Sequence, residues 1–168
     1  MIYSDNGRRL PSLTKIVEKK IKHKIGKCIY NMYGSYIFLS GNKILKVVES
    51  NEYHSYDKIR KIISWVKKSK SKHIVKIYDS GQFTTSGRKY YFYVMERLIP
   101  LPLSYDTDLI DIIDSRHETS LELFKPKVSE FVMSFDAMKL TYVDLHERNV
   151  MMDRFGNYKL VDLEGFSE

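Results

Sequence analysis

The segment TYVDLHERNVMMDRFGNYKLVDLEGF, residues 141–166, decides how this chain is interpreted. Two short β-rich runs, NVMMD and YKLVDLE, flank the sequence RFGN at residues 154–157, which is the pattern of a β-hairpin. Asp144 precedes the hairpin, Asn149 stands at the start of its first strand, and Asp162 stands at the end of its second. Because a hairpin returns the chain to its starting edge, we expect these three polar residues at one rim.

Two carboxylates and an amide at a common rim suit the transfer of a phosphoryl group. One carboxylate can orient a hydroxyl group or accept its proton, while an amide oxygen and the second carboxylate hold Mg²⁺ against the phosphates. Asp and Asn are also common in polar turns, so each residue is a weak signal by itself. Their joint spacing, with a hairpin between them, is the stronger observation.

This segment resembles the catalytic loop and metal-binding strand of the protein kinase-like superfamily, H-R-D-L-x-x-x-N followed by D-F-G. The resemblance implies that Asp144 is the catalytic aspartate and that Asn149 and Asp162 bind the metal. Tyr142 and Val143 replace the His-Arg pair, so regulation through a phosphorylated activation loop is not expected.

Two further departures broaden the resemblance. Leu163 and Glu164 replace the Phe-Gly pair, and Glu164 is either near the metal or at a solvated strand end. His146 makes the loop similar to the D-L-H-x-x-N loops of aminoglycoside, choline and related small-molecule kinases.

The upstream half predicts a five-stranded antiparallel sheet. The runs IYNMY, YIFL and KILKVV form a meander across residues 28–48, and HIVKIYDSG with RKYYFYVMERL forms a further hairpin. Apolar residues at helical spacing predict one helix over residues 52–68, after the third strand, and another over residues 12–24. Further helices are expected at 107–115 and from Pro126.

Lys46, in NKILKVV on the third strand, resembles the lysine of the V-A-I-K strand, which implies a contact with the α- and β-phosphates of ATP. A lysine on a strand otherwise usually points to solvent. In this family a glutamate of the following helix orients the lysine. Glu52 is the candidate, with Glu49 and Asp57 as alternatives.

The turn Gly34-Ser35-Tyr36 resembles a degenerate glycine-rich loop. The resemblance implies that the amides of Ser35 and Tyr36 are available to phosphate. Gly-Ser is also a common hairpin turn, so this signal is weak by itself.

The run YVMERL, residues 93–98, resembles the segment that joins two kinase lobes and receives adenine. The resemblance implies that Met95 lies at the back of the adenine slot and that Glu96 and Leu98 supply main-chain contacts. Pro100 and Pro102 then interrupt regular structure and mark the expected boundary.

The composition of the 168 residues, 43% hydrophobic and 29% charged, is typical of a globular protein. The single cysteine, Cys28, excludes an internal disulfide, and no secretory signal or membrane span is evident, so a cytoplasmic location is expected.

Charge is distributed unevenly along the chain. Residues 1–90 hold 20 Lys/Arg and 6 Asp/Glu, a net charge of +14, whereas residues 91–168 have a net charge of −7. An acidic protein partner or substrate is expected for the basic half, with nucleic acid as a second alternative and a merely solvated surface as a third. The lysines proposed to recruit the partner are Lys19, Lys20, Lys22, Lys24, Lys67, Lys68, Lys70 and Lys72.

Together the resemblance implies a single α+β domain with the two-lobe kinase-like fold. Residues 1–98 would form the N-lobe, with five antiparallel strands and one helix, and residues 99–168 a reduced, mostly helical C-lobe. The expected activity is that of an ATP- and Mg²⁺-dependent protein serine/threonine kinase. A small-molecule kinase and a pseudokinase binding module remain alternatives.

The resemblance stops early at the C-terminal end. Only six residues follow Asp162, so no activation segment is expected. The sequence leaves open whether the chain is a whole minimal kinase or a piece of a longer one.

Overall fold

The computed structural model describes residues 13–100, 141–142 and 149–167, and in this part the protein has an α+β fold with two helices. The first sheet consists of β1 (Cys28–Met32), β2 (Ser35–Ser40), β3 (Lys43–Glu49), β4 (Ile77–Thr85) and β5 (Arg88–Glu96). The helices are α1 (Leu13–Ile21) and α2 (Tyr56–Ser69). The remaining elements are β6 (Ile99–Pro100), β7 (Thr141–Tyr142), β8 (Val150–Met152), β9 (Tyr158–Leu160), a 3₁₀ turn (Leu163–Gly165) and β10 (Phe166–Ser167). The helices expected at 107–115 and from Pro126 lie outside the described residues.

The five-stranded sheet has the order β1-β2-β3-β5-β4, and every neighbouring pair is antiparallel. The predicted five-stranded antiparallel sheet, with a helix after its third strand, is therefore confirmed. Successive side chains of a strand point to opposite faces, so this register also assigns each side chain to one face of the sheet.

One face of the sheet packs into a hydrophobic core with α1. Core residues from α1 and the segment after it meet alternate residues of the strands. The cluster consists of Val17, Ile21, Ile25, Tyr36, Phe38, Leu45, Val47, Phe83, Tyr90, Phe92 and Val94. Gly81 of β4 pairs with Phe92 and leaves room for its ring, because a Cβ there would stand 2.8 Å from the Phe92 Cε1 atom.

Both helices differ from prediction at their ends. α1 stops at Ile21 rather than at residue 24, because Lys22 has a φ of 56° and leaves the helical region. α2 begins at Tyr56 rather than at residue 52. The side chain of Asn51 accepts bonds from the amides of Tyr53 and His54, which forms a turn instead of a helical start.

The described residues separate into two compact units. The first contains the five-stranded sheet, and it ends at Arg97. The second begins at Leu98 but also takes the segment Ile62–Val75, which the sequence boundary at residue 98 would have left in the first. Backbone hydrogen bonds explain this grouping, because Val75 N–H donates to Leu160 and Leu160 N–H donates to His73.

Neither helix in the described part of the chain combines the length and the apolar composition that crossing a bilayer requires.

Candidate functional site

The β8–β9 hairpin brings Asn149 and Asp162 to the same end. Val150 pairs with Leu160 in the antiparallel register, and the Val161 N–H donates to the Asn149 carbonyl at 2.9 Å. Asp162 is the next residue along the second arm. The predicted hairpin is confirmed, and its backbone makes these two oxygen-bearing residues neighbours.

The far end of the hairpin is organised by Asp153. Its carboxylate accepts hydrogen bonds from the backbone amides of Phe155 (2.8 Å) and Asn157 (2.9 Å) and from the Asn157 side chain (3.0 Å). Lys159 lies 3.8 Å away, and both charged side chains are nearly buried. Burial alone would raise the pKa of Asp153, but the hydrogen bonds and the lysine together hold that pKa below its ordinary value.

Asp162 also determines the path of the chain beyond the hairpin. Its side chain accepts a hydrogen bond from the Glu164 amide at 3.3 Å and so caps the 3₁₀ turn. After this turn Phe166 pairs with Tyr142, two residues before the predicted catalytic aspartate. Asp144 itself lies outside the described residues.

The hairpin is held by the segment that follows α2. The Nδ1 atom of His73 lies 3.2 Å from the carbonyl of Tyr158, and Ile74 forms an isolated bridge with Leu160. Trp65 and Phe166 make an edge contact at 6.1 Å between ring centroids. Burial raises the pKa of Tyr158 to about 12, as expected for a phenol removed from water.

Lys46 is buried, with 8% of its surface exposed, in the middle of β3. In the register it pairs with Ile37 on one side and Tyr93 on the other, so these side chains share one face of the sheet. The Nζ atom lies 5.9 Å from the centroid of the Tyr93 ring. A strand lysine that points to solvent would be exposed, so the alternative that Lys46 is an ordinary surface residue does not fit its burial.

Sequence reasoning missed three apolar side chains beside Lys46. Ile37, Leu39 and Ile44 are each half-buried, and strand alternation puts them on the face that carries Lys46. Met95, the predicted residue at the back of the adenine slot, pairs with Ile44 and is buried. The period-two pattern of β2 and β3 was the signal that could have found them.

The turn that resembles a glycine-rich loop is a tight hairpin turn centred on Tyr33 and Gly34. Tyr33 and Gly34 both have positive φ, 51° and 73°, which is the signature of a type I′ hairpin turn. Ser35 pairs with Met32 and Val48, and Tyr36 lies within the same ladder. The proposed contact of the Ser35 and Tyr36 amides with a phosphate stays a prediction.

Glu52 does not lie in a helix, contrary to prediction. It is exposed in the bend before α2, because the Asn51 turn delays the helix to Tyr56. Of the alternatives, Glu49 ends β3 and contacts Arg88 at 3.2 Å, and Asp57 pairs with Arg60 on the surface at 3.6 Å. Glu52 therefore lacks the helical position for which it was chosen as the residue that orients Lys46.

Glu96 and Leu98 lie at the end of the first unit and the start of the second. The backbone amide of Glu96 donates to the Lys76 carbonyl at 3.0 Å. The Glu96 carboxylate accepts a hydrogen bond from the Lys76 amide at 2.7 Å. Leu98 is half-buried and lies in the short segment of chain that connects β5 to β6. Their proposed main-chain contacts with adenine stay predictions.

Asn149 and Asp162 have the chemistry of a magnesium site. Mg²⁺ prefers oxygen ligands and is usually held by one or two protein groups together with substrate phosphates and water. Within residues 13–100, 141–142 and 149–167, no group of three or more His, Cys, Asp or Glu side chains could hold a metal. Metal binding by Asn149 and Asp162 stays a prediction.

Comparison of the chain with models of known protein families gives no match, and comparison with curated proteins gives none either.

Proposed function

We propose that this chain is an ATP- and Mg²⁺-dependent phosphotransferase with the two-lobe kinase-like fold. The observation that carries the proposal is the hairpin bond from Val161 to Asn149, which makes Asn149 and Asp162 neighbours. The order of the five strands, with α2 between β3 and β4, supports the same reading of the first unit. A buried lysine on the third strand is a second, independent support.

The proposed roles follow from the chemistry of each side chain. Lys46 holds the α- and β-phosphates, because its ammonium supplies a positive charge on a rigid strand. Asn149 and Asp162 would hold Mg²⁺, which neutralises charge on the phosphates when it is bound. Ile37, Leu39 and Ile44 offer an apolar surface to a planar base.

Asp144 is proposed to orient the acceptor hydroxyl and to accept its proton. In the transfer, a bond forms between the acceptor oxygen and the γ-phosphorus, and the bond from that phosphorus to the bridging oxygen breaks. The products are the phosphorylated acceptor and ADP. We propose a serine or threonine hydroxyl of a protein as the acceptor.

The test is incubation with γ-labelled ATP and Mg²⁺, with protein substrates in one arm and small hydroxyl compounds in another. We expect label on protein, and loss of that label for Lys46→Met. Lys43→Met is the matched control, because Lys43 lies on the same strand at its half-buried end. Label in neither arm, or equal labelling by wild type and Lys46→Met, would contradict the proposal.

A further inference from the structure

A row of exposed side chains runs from the end of α1 to the tip of the first hairpin. Its first half is basic and its second half is apolar. We call it the basic–apolar strip, and its members are Lys22, Lys24, Lys27, Ile29, Tyr30, Met32 and Tyr33. Exposure is high for apolar residues, at 52% for Ile29, 48% for Met32 and 86% for Tyr33. Large apolar side chains grouped in this way on a surface usually mark an interaction site.

The strip lies at an edge of the described sheet, and its register with β2 shifts between Cys28 and Tyr30. The backbone pairing with β2 continues past β1, because Gly26 N–H donates to Leu39 at 2.7 Å and Leu39 N–H donates to Lys27 at 3.0 Å. Seven residues of extended chain, Gly26 to Met32, span roughly 23 Å at about 3.3 Å per residue. β1 is an outer strand in the order of the described sheet. The surface is therefore long and narrow.

The positive charge of the strip is not compensated within the described part of the molecule. None of its three lysines makes an ion pair with a described residue. Acidic groups of α1 and β4 make other contacts. The Glu18 carboxylate accepts the Ile25 amide at 3.1 Å, and Asp79 contacts His23 at 2.7 Å. An acidic ligand would supply the missing charge.

We propose that the basic–apolar strip binds an extended acidic segment of a partner protein. Acidic residues of that segment lie against Lys24 and Lys27, and apolar residues lie against Tyr30 and Met32. A nucleic acid would satisfy the lysines and stack on Tyr30 and Tyr33, but it would leave Ile29 and Met32 without the apolar contacts that the side chains of a peptide supply. An anionic membrane surface favours the broad apolar face of an amphipathic helix, whereas these side chains lie along an edge strand and its turn.

This inference is independent of the proposed phosphotransfer, since binding needs neither nucleotide nor metal. The probe is a fluorescein-labelled peptide with a block of Asp and Glu followed by alternating Val and Thr. Fluorescence anisotropy with the full chain should show saturable binding that weakens as salt rises through about 0.15 M. Vesicles containing phosphatidylserine and a single-stranded oligonucleotide are tested in parallel.

Two double variants locate the site. Lys24→Glu with Lys27→Glu should weaken peptide binding at least about tenfold, because each reversal replaces attraction by repulsion. Lys61→Glu with Lys89→Glu is the matched control, since these exposed lysines lie on α2 and β5, outside the strip, and should leave binding unchanged.

The apolar half is tested by Tyr30→Ser with Met32→Ser, which should weaken binding of the same peptide while circular dichroism stays native. A peptide with Ser in place of Val should bind more weakly to wild type. Equal loss in the control variant, or tighter binding of the vesicles or the oligonucleotide than of the peptide, would overturn the proposal.

Discussion

Replacing Asp153 with alanine removes the acceptor of three hydrogen bonds in the β8–β9 turn. Two reach Oδ1 from the amides of Phe155 and Asn157, and one reaches Oδ2 from the Asn157 side chain. A hydrogen bond to a charged group contributes about 1.5–3 kcal/mol, and bonds that share a carboxylate are not additive. We expect Asp153→Ala to lower the free energy of unfolding by about 2–4 kcal/mol.

The effect should depend on pH in a defined direction. Because the folded pKa of Asp153 is lowered, the unfolded chain takes up a proton at a higher pH than the folded one. This stabilisation is therefore complete at neutral pH and is lost as the pH falls below about 4. Asp153→Asn keeps an oxygen acceptor without the charge. Asp153→Asn should lower the free energy of unfolding less than Asp153→Ala does. The difference in that free energy between Asp153→Asn and wild type should shrink as the pH falls from about 5 to about 3.

Urea unfolding followed by the fluorescence of Trp65 measures both effects. Trp65 is the single tryptophan of the chain, and its ring contacts Phe166 in the same unit as the hairpin. Asp57→Ala is the control, because that exposed carboxylate has only a surface ion pair and should cost less than about 1 kcal/mol. An Asp153→Ala protein within about 0.5 kcal/mol of wild type would refute the role given to this turn.

Three further outcomes follow from single positions. Gly81→Ala should lower the free energy of unfolding in urea by about 1–3 kcal/mol, because the added Cβ clashes with the Phe92 ring. Phe92→Leu should reduce this loss. It should not reduce the loss caused by Gly87→Ala, where the positive φ alone is strained. Tyr158→Phe should gain stability relative to wild type as the pH rises from about 10 to 12, because the raised pKa makes deprotonation favour the unfolded chain. Asp144→Asn should leave nucleotide affinity in calorimetry unchanged while labelling of the acceptor falls by at least about a hundredfold; an unchanged rate would end the role proposed for Asp144.

The strands and the proximity of Asn149 and Asp162 could be predicted because their signals are local. Alternating apolar residues, bounded by turn residues, defined β1 to β5. For the hairpin, a short turn is enough to fix which residues of β8 and β9 face each other. Once that register is set, the neighbours of Val161 follow without knowledge of the rest of the chain.

Other features could not be predicted because they depend on choices among competing local bonds. Ser50, Asn51 and Ser55 are all plausible helix caps, and the structure uses Asn51 for a turn and Ser55 for the cap, where its Oγ accepts the Lys58 amide at 3.3 Å. Apolar spacing does not fix the first turn of a helix, and the helix predicted over residues 52–68 therefore included Glu52. The positive φ of Tyr33, which closes the first hairpin, is likewise unusual for a bulky residue.

The grouping of Ile62–Val75 with the second unit had no sequence signal. It depends on contacts such as that between His73 and Tyr158, which are 85 residues apart. Spacing along the chain does not encode a pairing of that range, whereas it does encode a hairpin.

Calorimetric titration of ATP, with and without Mg²⁺, tests the central claim most directly. Wild type should bind ATP more tightly when Mg²⁺ is present, and Asn149→Ala and Asp162→Ala should each abolish that gain while the protein stays folded. Asn157→Ala, at the other end of the same hairpin, should retain most of the gain if the hairpin stays folded. Metal-dependent binding that survives both substitutions, or ATP binding that does not respond to Mg²⁺ in wild type, would contradict the account.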